Sequence, residues 1–170
     1  MSYDFLGRAT ADGSAMTLTV SGIPQTHKDL EIICHVISDT AAASSGKITV
    51  NGDSGGNYRR NGWRINGTTL YGIADIPGSG GWDINFSQGS GAFGGPAAAL
   101  AKIYLSNYST AVDHPGSYQS TSWDSYTSGE QAVGGLLYDN SSPAAITSIT
   151  WTGVYTIKAD CTITVYGIDY

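Results

Sequence analysis

The densest group of chemically capable side chains is Tyr58-Arg59-Arg60-Asn-Gly-Trp63-Arg64, which places three of the eight basic residues beside two aromatic rings. Guanidinium groups pair carboxylates bidentately and stack on aromatic faces, so this pattern suits contact with an acidic partner surface. Arg and aromatic residues are also enriched in protein interfaces and serve sugar or phosphate contacts. A solvated turn is the alternative. A second group is Tyr3, Phe5 and Leu6, three large apolar side chains ahead of the first glycine. They would be idle in a free tail, so residues 1–10 are expected to form an arm or first strand packed on a neighbouring subunit or shell.

Catalytic constellations are harder to find. The chain contains no G-x-S-x-G elbow, Walker loop, H-E-x-x-H or C-x-x-C. His27, His35 and His114 are far apart, and structural roles suit them better than a metal triad. Asn51-Gly-Asp-Ser-Gly-Gly-Asn57 resembles a calcium loop in part but lacks the downstream bidentate Glu, so it reads as a hairpin turn. Gly78–Gly81 and Gly89–Gly95 are Gly-rich without the strand-to-helix context that aims amides at a phosphate. No catalytic, cofactor-binding or metal site is nominated, no divalent metal is expected to be required, and a non-enzymatic role is the expectation. Trp82, Tyr108, Tyr118, Trp123 and Tyr126, set among Ser, Gly and Asn, are expected to be exposed, as on a glycan-binding or protein-contact face.

Alternation of apolar and polar residues shows which elements hold these groups. Cys161, Ile163 and Val165 share one face of a final strand, and Thr162, Thr164 and Tyr166 share the other. Residues 15–20 and 29–37 alternate in the same way, Lys47–Val50 forms a short strand, and short apolar pieces follow from Tyr58 to Phe86. Residues 97–105 suit a strand better than a helix, and further strands are expected near 118–126, 131–138 and 145–154. No stretch of twelve or more residues keeps helical spacing. Roughly eight to ten short strands with turn signals between them predict an all-β protein, an antiparallel β-sandwich of jelly-roll or immunoglobulin-like topology. Residues 11–170 are expected to form its single domain, since the chain has no interdomain linker and no repeat.

Composition narrows the function classes. With a net charge of −6 and a pI near 4.7, the protein lacks the counterion-release term that drives nucleic-acid binding. No signal-peptide pattern opens the chain and no apolar run approaches the roughly 20 residues that span a bilayer, so synthesis in a cytoplasm is expected, with no membrane partner. Cys34 and Cys161 lie in apolar runs and read as buried thiols. Four N-x-[ST] matches, at Asn66, Asn85, Asn107 and Asn140, then carry no glycan.

Several segments, taken in order, carry a family likeness. Ser21-Gly-Ile-Pro24-Gln-Thr26-His-Lys-Asp29-Leu30, a long apolar strand and then Val50-Asn-Gly-Asp53-Ser-Gly-Gly-Asn57-Tyr58 resemble the N-terminal half of small β-rich virion proteins of tailed bacteriophages. Lys102-Ile-Tyr-Leu-Ser-Asn-Tyr108, Ala144-Ala-Ile-Thr-Ser-Ile-Thr150 and Ile163-Thr-Val-Tyr-Gly-Ile168 are similar to its later segments. The resemblance implies a jelly-roll-like sandwich on the outer surface of the virion. Its expected role is a capsid decoration (cement) protein, trimeric, binding the major capsid protein lattice. A receptor-binding or glycan-binding fibre domain, with a host-surface glycan as partner, is the alternative. The family implies no cofactor and no catalytic residue.

Overall fold

The structure, a computed structural model, describes residues 2–37, 44–74, 80–87, 99–123 and 129–170. Among them are twelve strands: β1 (Ser2–Thr10), β2 (Thr17–Ser21), β3 (Asp29–Val36), β4 (Ser44–Val50), β5 (Tyr58–Asn66), β6 (Thr69–Ile73), β7 (Trp82–Ser87), β8 (Ala99–Leu105), β9 (His114–Trp123), β10 (Gly129–Tyr138), β11 (Ser148–Thr152) and β12 (Thr162–Asp169). That exceeds the expected eight to ten, and residues 2–10 are the first strand rather than an arm. They build two antiparallel sheets, one of eight strands in the order β1-β12-β3-β8-β9-β10-β5-β6 and one of four in the order β2-β11-β4-β7.

Eight of these strands are divided equally between the sheets, crossing from one to the other at every step but β4 to β7: β1, β3, β8 and β12 lie in the larger, and β2, β4, β7 and β11 in the smaller. That exchange is a jelly roll. Two hairpin segments are added to it. β5–β6 intervenes between β4 and β7, β9–β10 intervenes between β8 and β11, and the two join edge to edge as a four-stranded extension of the larger sheet. The β5–β6 turn is closed by two residues starting at Gly67, whose φ of 58° suits the first position of a II′ turn.

The core between the sheets is built from the inward half of each alternation, including Leu30, Ile32, Ile48, Ile103, Ile163 and Trp151, all at most 1% exposed. β8 shows why residues 99–105 form a strand: Ala99, Ala101, Ile103 and Leu105 are buried while Leu100 and Lys102 point out, a period of two. The Asn51 turn is tight, with the Asp53 N–H donating to the Val50 carbonyl at 2.9 Å. It is not the expected hairpin, however, because β4 and β5 belong to different sheets. The Asn51 side chain explains the crossover. It accepts from the Thr147 and Ser148 N–H groups at 2.8 and 3.2 Å and donates to the Ala145 carbonyl at 2.9 Å, tying the turn to the approach of β11.

Candidate functional site

Strand alternation divides the arginine cluster between two faces. Tyr58, Arg60 and Arg64 face the smaller sheet's side, and Arg59, Trp63 and Ile65 face the opposite, outer side. Tyr58 is not a surface residue. It is 1% exposed, its hydroxyl accepts from the Val50 N–H at 3.0 Å and donates to the Asp53 carbonyl at 2.8 Å, and its ring packs against Trp82 and Tyr138 at 5.2 and 5.1 Å. Nor do the arginines present free charge: Arg59 lies 3.8 Å from Asp139, Arg60 3.8 Å from Asp83, and Arg64 3.7 Å from Glu130 while its guanidinium sits over the Tyr71 ring. Of the five residues expected as contacts, Tyr58 is thus a core residue, and Arg59 and Trp63 are the ones on the outer face.

The aromatic residues expected at the surface are also placed differently. Trp82, Tyr108 and Tyr118 are buried. Trp82 donates its indole N–H to the Arg59 and Leu137 carbonyls at 3.1 and 3.2 Å, which pins β7 under the extension. Tyr108 donates to the Pro24 carbonyl at 2.5 Å. Tyr126 and the 89–95 loop lie outside the described residues.

Asp53 completes the anchorage of the extension. Its carboxylate accepts from the Gly55 N–H at 2.7 Å, Asn57 at 2.7 Å and the Tyr138 hydroxyl at 2.8 Å. Burial pushes this carboxyl up, but these donors outweigh it and hold it below the usual carboxylate range. Thus the segment with partial calcium-loop character is closed by its own hydrogen bonds. Among the described residues no three His, Cys, Asp or Glu side chains gather as a metal site.

The histidines are dispersed. His114 is buried and stacked on Tyr138, His35 points outward from β3, and His27 bridges Asp169 at 2.8 Å and Asp4 at 3.5 Å. Cys34 and Cys161 are buried free thiols, as their runs imply.

Two regions of the larger sheet's outer face carry exposed apolar side chains. At one edge β1 pairs with β12 of the same chain, and Tyr3 and Phe5 stand out from it at 49% and 61% exposure. Leu6 sits at the β-bulge between Phe5 and Gly7 and turns inward against the core. Phe5 meets Tyr166 edge-on, and the Tyr3 hydroxyl donates to Glu31 at 3.2 Å. Glu31 also holds Lys102 at 2.6 Å, and that hydrogen bond raises the Lys102 pKa. The second region is a groove of about 140 Å³ across β9, β10, β5 and β6, lined by Trp63, Ile65, Leu70, Gln119, Gln131 and Val133 among others. Sequence spacing alone could not assemble it, because Trp63 and Val133 become neighbours only through the β5–β10 register.

No family model and no curated protein matches the chain. Among solved structures, a leech intramolecular trans-sialidase complexed with 2,7-anhydro-Neu5Ac aligns over 99% of this chain and 27% of its own, at 12% identity and a TM-score of 0.35. An alginate lyase from Klebsiella pneumoniae aligns over 78% and 60%, at 9% identity and a TM-score of 0.14. The chain thus spans about a quarter of the first and three fifths of the second, and neither likeness reaches the level of a shared fold.

Proposed function

We propose that this protein is a non-enzymatic attachment module of a tailed-phage virion, a decoration protein that seats on the major capsid protein lattice and stabilises it. The sequence likeness in its ordered segments supports the virion setting, and the jelly-roll architecture agrees with it. The observation that carries the reading is the β1 edge. Tyr3 and Phe5 are held outward on a strand with no further strand neighbour among the described residues, so their rings and the unpaired backbone of β1 are presented together.

A capsid protein segment meeting this edge would gain main-chain hydrogen bonds from the strand and apolar burial from the rings. Aromatic anchors of this kind dominate interface energetics, and a stable contact needs about 1,200–2,000 Å² of total buried surface. Three copies around a local threefold axis of the shell would multiply that contact by avidity. The module then acts on the outside of the particle, by binding energy alone.

The test adds the purified protein to undecorated capsids and counts bound copies per particle in electron micrographs. Copies covering the shell, with occupancy greatly reduced for the Tyr3→Ser/Phe5→Ser double variant, are expected. Point substitution is preferable to deleting residues 2–8, which would strip a strand from β12. Binding confined to a tail tip, or wild-type occupancy in the double variant, would refute the proposal.

A further inference from the structure

We infer that the Trp63 groove is a binding site for a neutral oligosaccharide, distinct from the β1 edge. The two regions lie on the same outer face, but Trp63 on β5 stands six strand intervals from β1, roughly 29 Å at the usual spacing. One can be covered by a shell while the other faces outward.

The chemistry of the groove selects the ligand class. Trp63 is 59% exposed, and its indole N–H has no hydrogen-bond partner among the described residues. Opposite it on β6 stands Gly72, where an added Cβ would lie 4.0 Å from the ring; the absence of a side chain there leaves the indole face open. Leu70 and Val133, 60% and 55% exposed, extend the apolar floor on either side. Gln119 and Gln131 project from β9 and β10 on this same face, with Thr121 beside them. None of these three side chains is engaged in a hydrogen bond among the described residues.

An open aromatic platform bordered by uncommitted carboxamides matches a pyranose, whose C–H face stacks on a ring while its hydroxyls need groups that both donate and accept. None of the nine residues lining the groove is charged, and Lys102, across from Gln119 on β8, is held by Glu31 at 2.6 Å, so a phosphate, a nucleotide or an acidic sugar finds no uncommitted cation there. A peptide is disfavoured for a separate reason. β9, β10 and β5, which form the floor, are hydrogen-bonded on both sides, so an added strand could pair only with the free edge of β6 and would lie beside the groove rather than across it. From β6 to β9 the groove crosses roughly 14 Å, enough for a short oligosaccharide rather than a single sugar.

The protein is first applied to a printed array of neutral glucans, mannans, galactans and N-acetylglucosamine oligomers, with sialylated and sulfated glycans alongside. The strongest neutral binder is then titrated by calorimetry. The expected result is binding that weakens at least tenfold in Trp63→Ala and in Gln131→Ala, with unfolding midpoints unchanged. Should one variant fold poorly, the other decides. Retention of no neutral glycan, a strict requirement for an acidic sugar, or binding indifferent to both substitutions would overturn the inference. So would wild-type protein that binds no glycan together with a Trp63→Ala variant that loses capsid occupancy, since the groove would then be a protein contact. Loss of occupancy in the Tyr3→Ser/Phe5→Ser variant with glycan binding intact separates the two sites.

Discussion

Replacing Tyr58 with Phe removes one oxygen from the point where the extension meets the jelly roll, and the cost can be worked from its partners. The hydroxyl accepts from the Val50 N–H at 3.0 Å and donates to the Asp53 carbonyl at 2.8 Å. Each such bond is worth about 0.5–1.5 kcal/mol net, but Val50 is fully buried and its N–H would be left without the acceptor, which costs about 1–3 kcal/mol. The ring contacts with Trp82 and Tyr138 survive the change, so no cavity term is added. The expected loss is about 3 kcal/mol, read as a lower urea midpoint at unchanged slope. For a domain of this size that corresponds to a fall of about 6–12 °C in the thermal midpoint. Trp63→Phe, made in parallel on the exposed face, should leave stability almost unchanged. A Tyr58→Phe variant within about 0.5 kcal/mol of wild type would refute the assignment of this hydroxyl as the tie between the β4–β5 turn and the core.

Asp53 should couple stability to pH: its folded-state carboxyl lies below the ordinary value, so its contribution is present above about pH 3.9 and lost as pH falls through the folded value. Urea midpoints from neutral to acid pH should therefore fall more steeply for wild type than for Asp53→Asn, and parallel curves would contradict this. Gly134→Ala should destabilise by about 3 kcal/mol, because its Cβ would fall 1.8 Å from the Asn61 carbonyl oxygen where β5 and β10 approach, whereas Gly72→Ala should be near neutral in a melting assay. Both cysteine thiols should resist a thiol reagent until the protein unfolds, since Cys34 and Cys161 are at most 1% exposed and burial raises the pKa of each; rapid labelling of either in the native state would count against their placement. Dialysis against a chelator should leave the melting curve unchanged.

The alternation in β2, β3, β8 and β12 was enough to place strands and to name the sandwich, because a period of two with one buried face is a local property of the chain. Side-chain location at the sandwich ends was not. Trp82 and Tyr108 sit among Gly, Ser and Asn, which suggests exposure, but their N–H and O–H groups reach backbone carbonyls of Arg59, Leu137 and Pro24 and so tolerate burial. The arginine cluster is conspicuous in sequence, yet its charges are answered by Asp139, Asp83 and Glu130, the first and last more than 60 residues away in the chain. The same is true of the groove. Gln119, Gln131 and Leu70 carry no motif, and only the pairing of two separate hairpins brings them beside Trp63.

β12 lies between β1 and β3 in the larger sheet, while about 125 residues separate the end of β3 from its start. At the usual pace of translation, roughly 5–20 residues per second, the ribosome needs about 6–25 s to make that interval. Throughout it, the flanks of β1 and β3 that β12 will occupy stand open, including the backbone opposite Val165 and Ile163. Completion of the fold is thus deferred to its last strand, and nascent or truncated chains lacking that strand would expose two sticky edges to one another. Yield of this protein in a cell should therefore depend on how quickly β12 emerges and inserts.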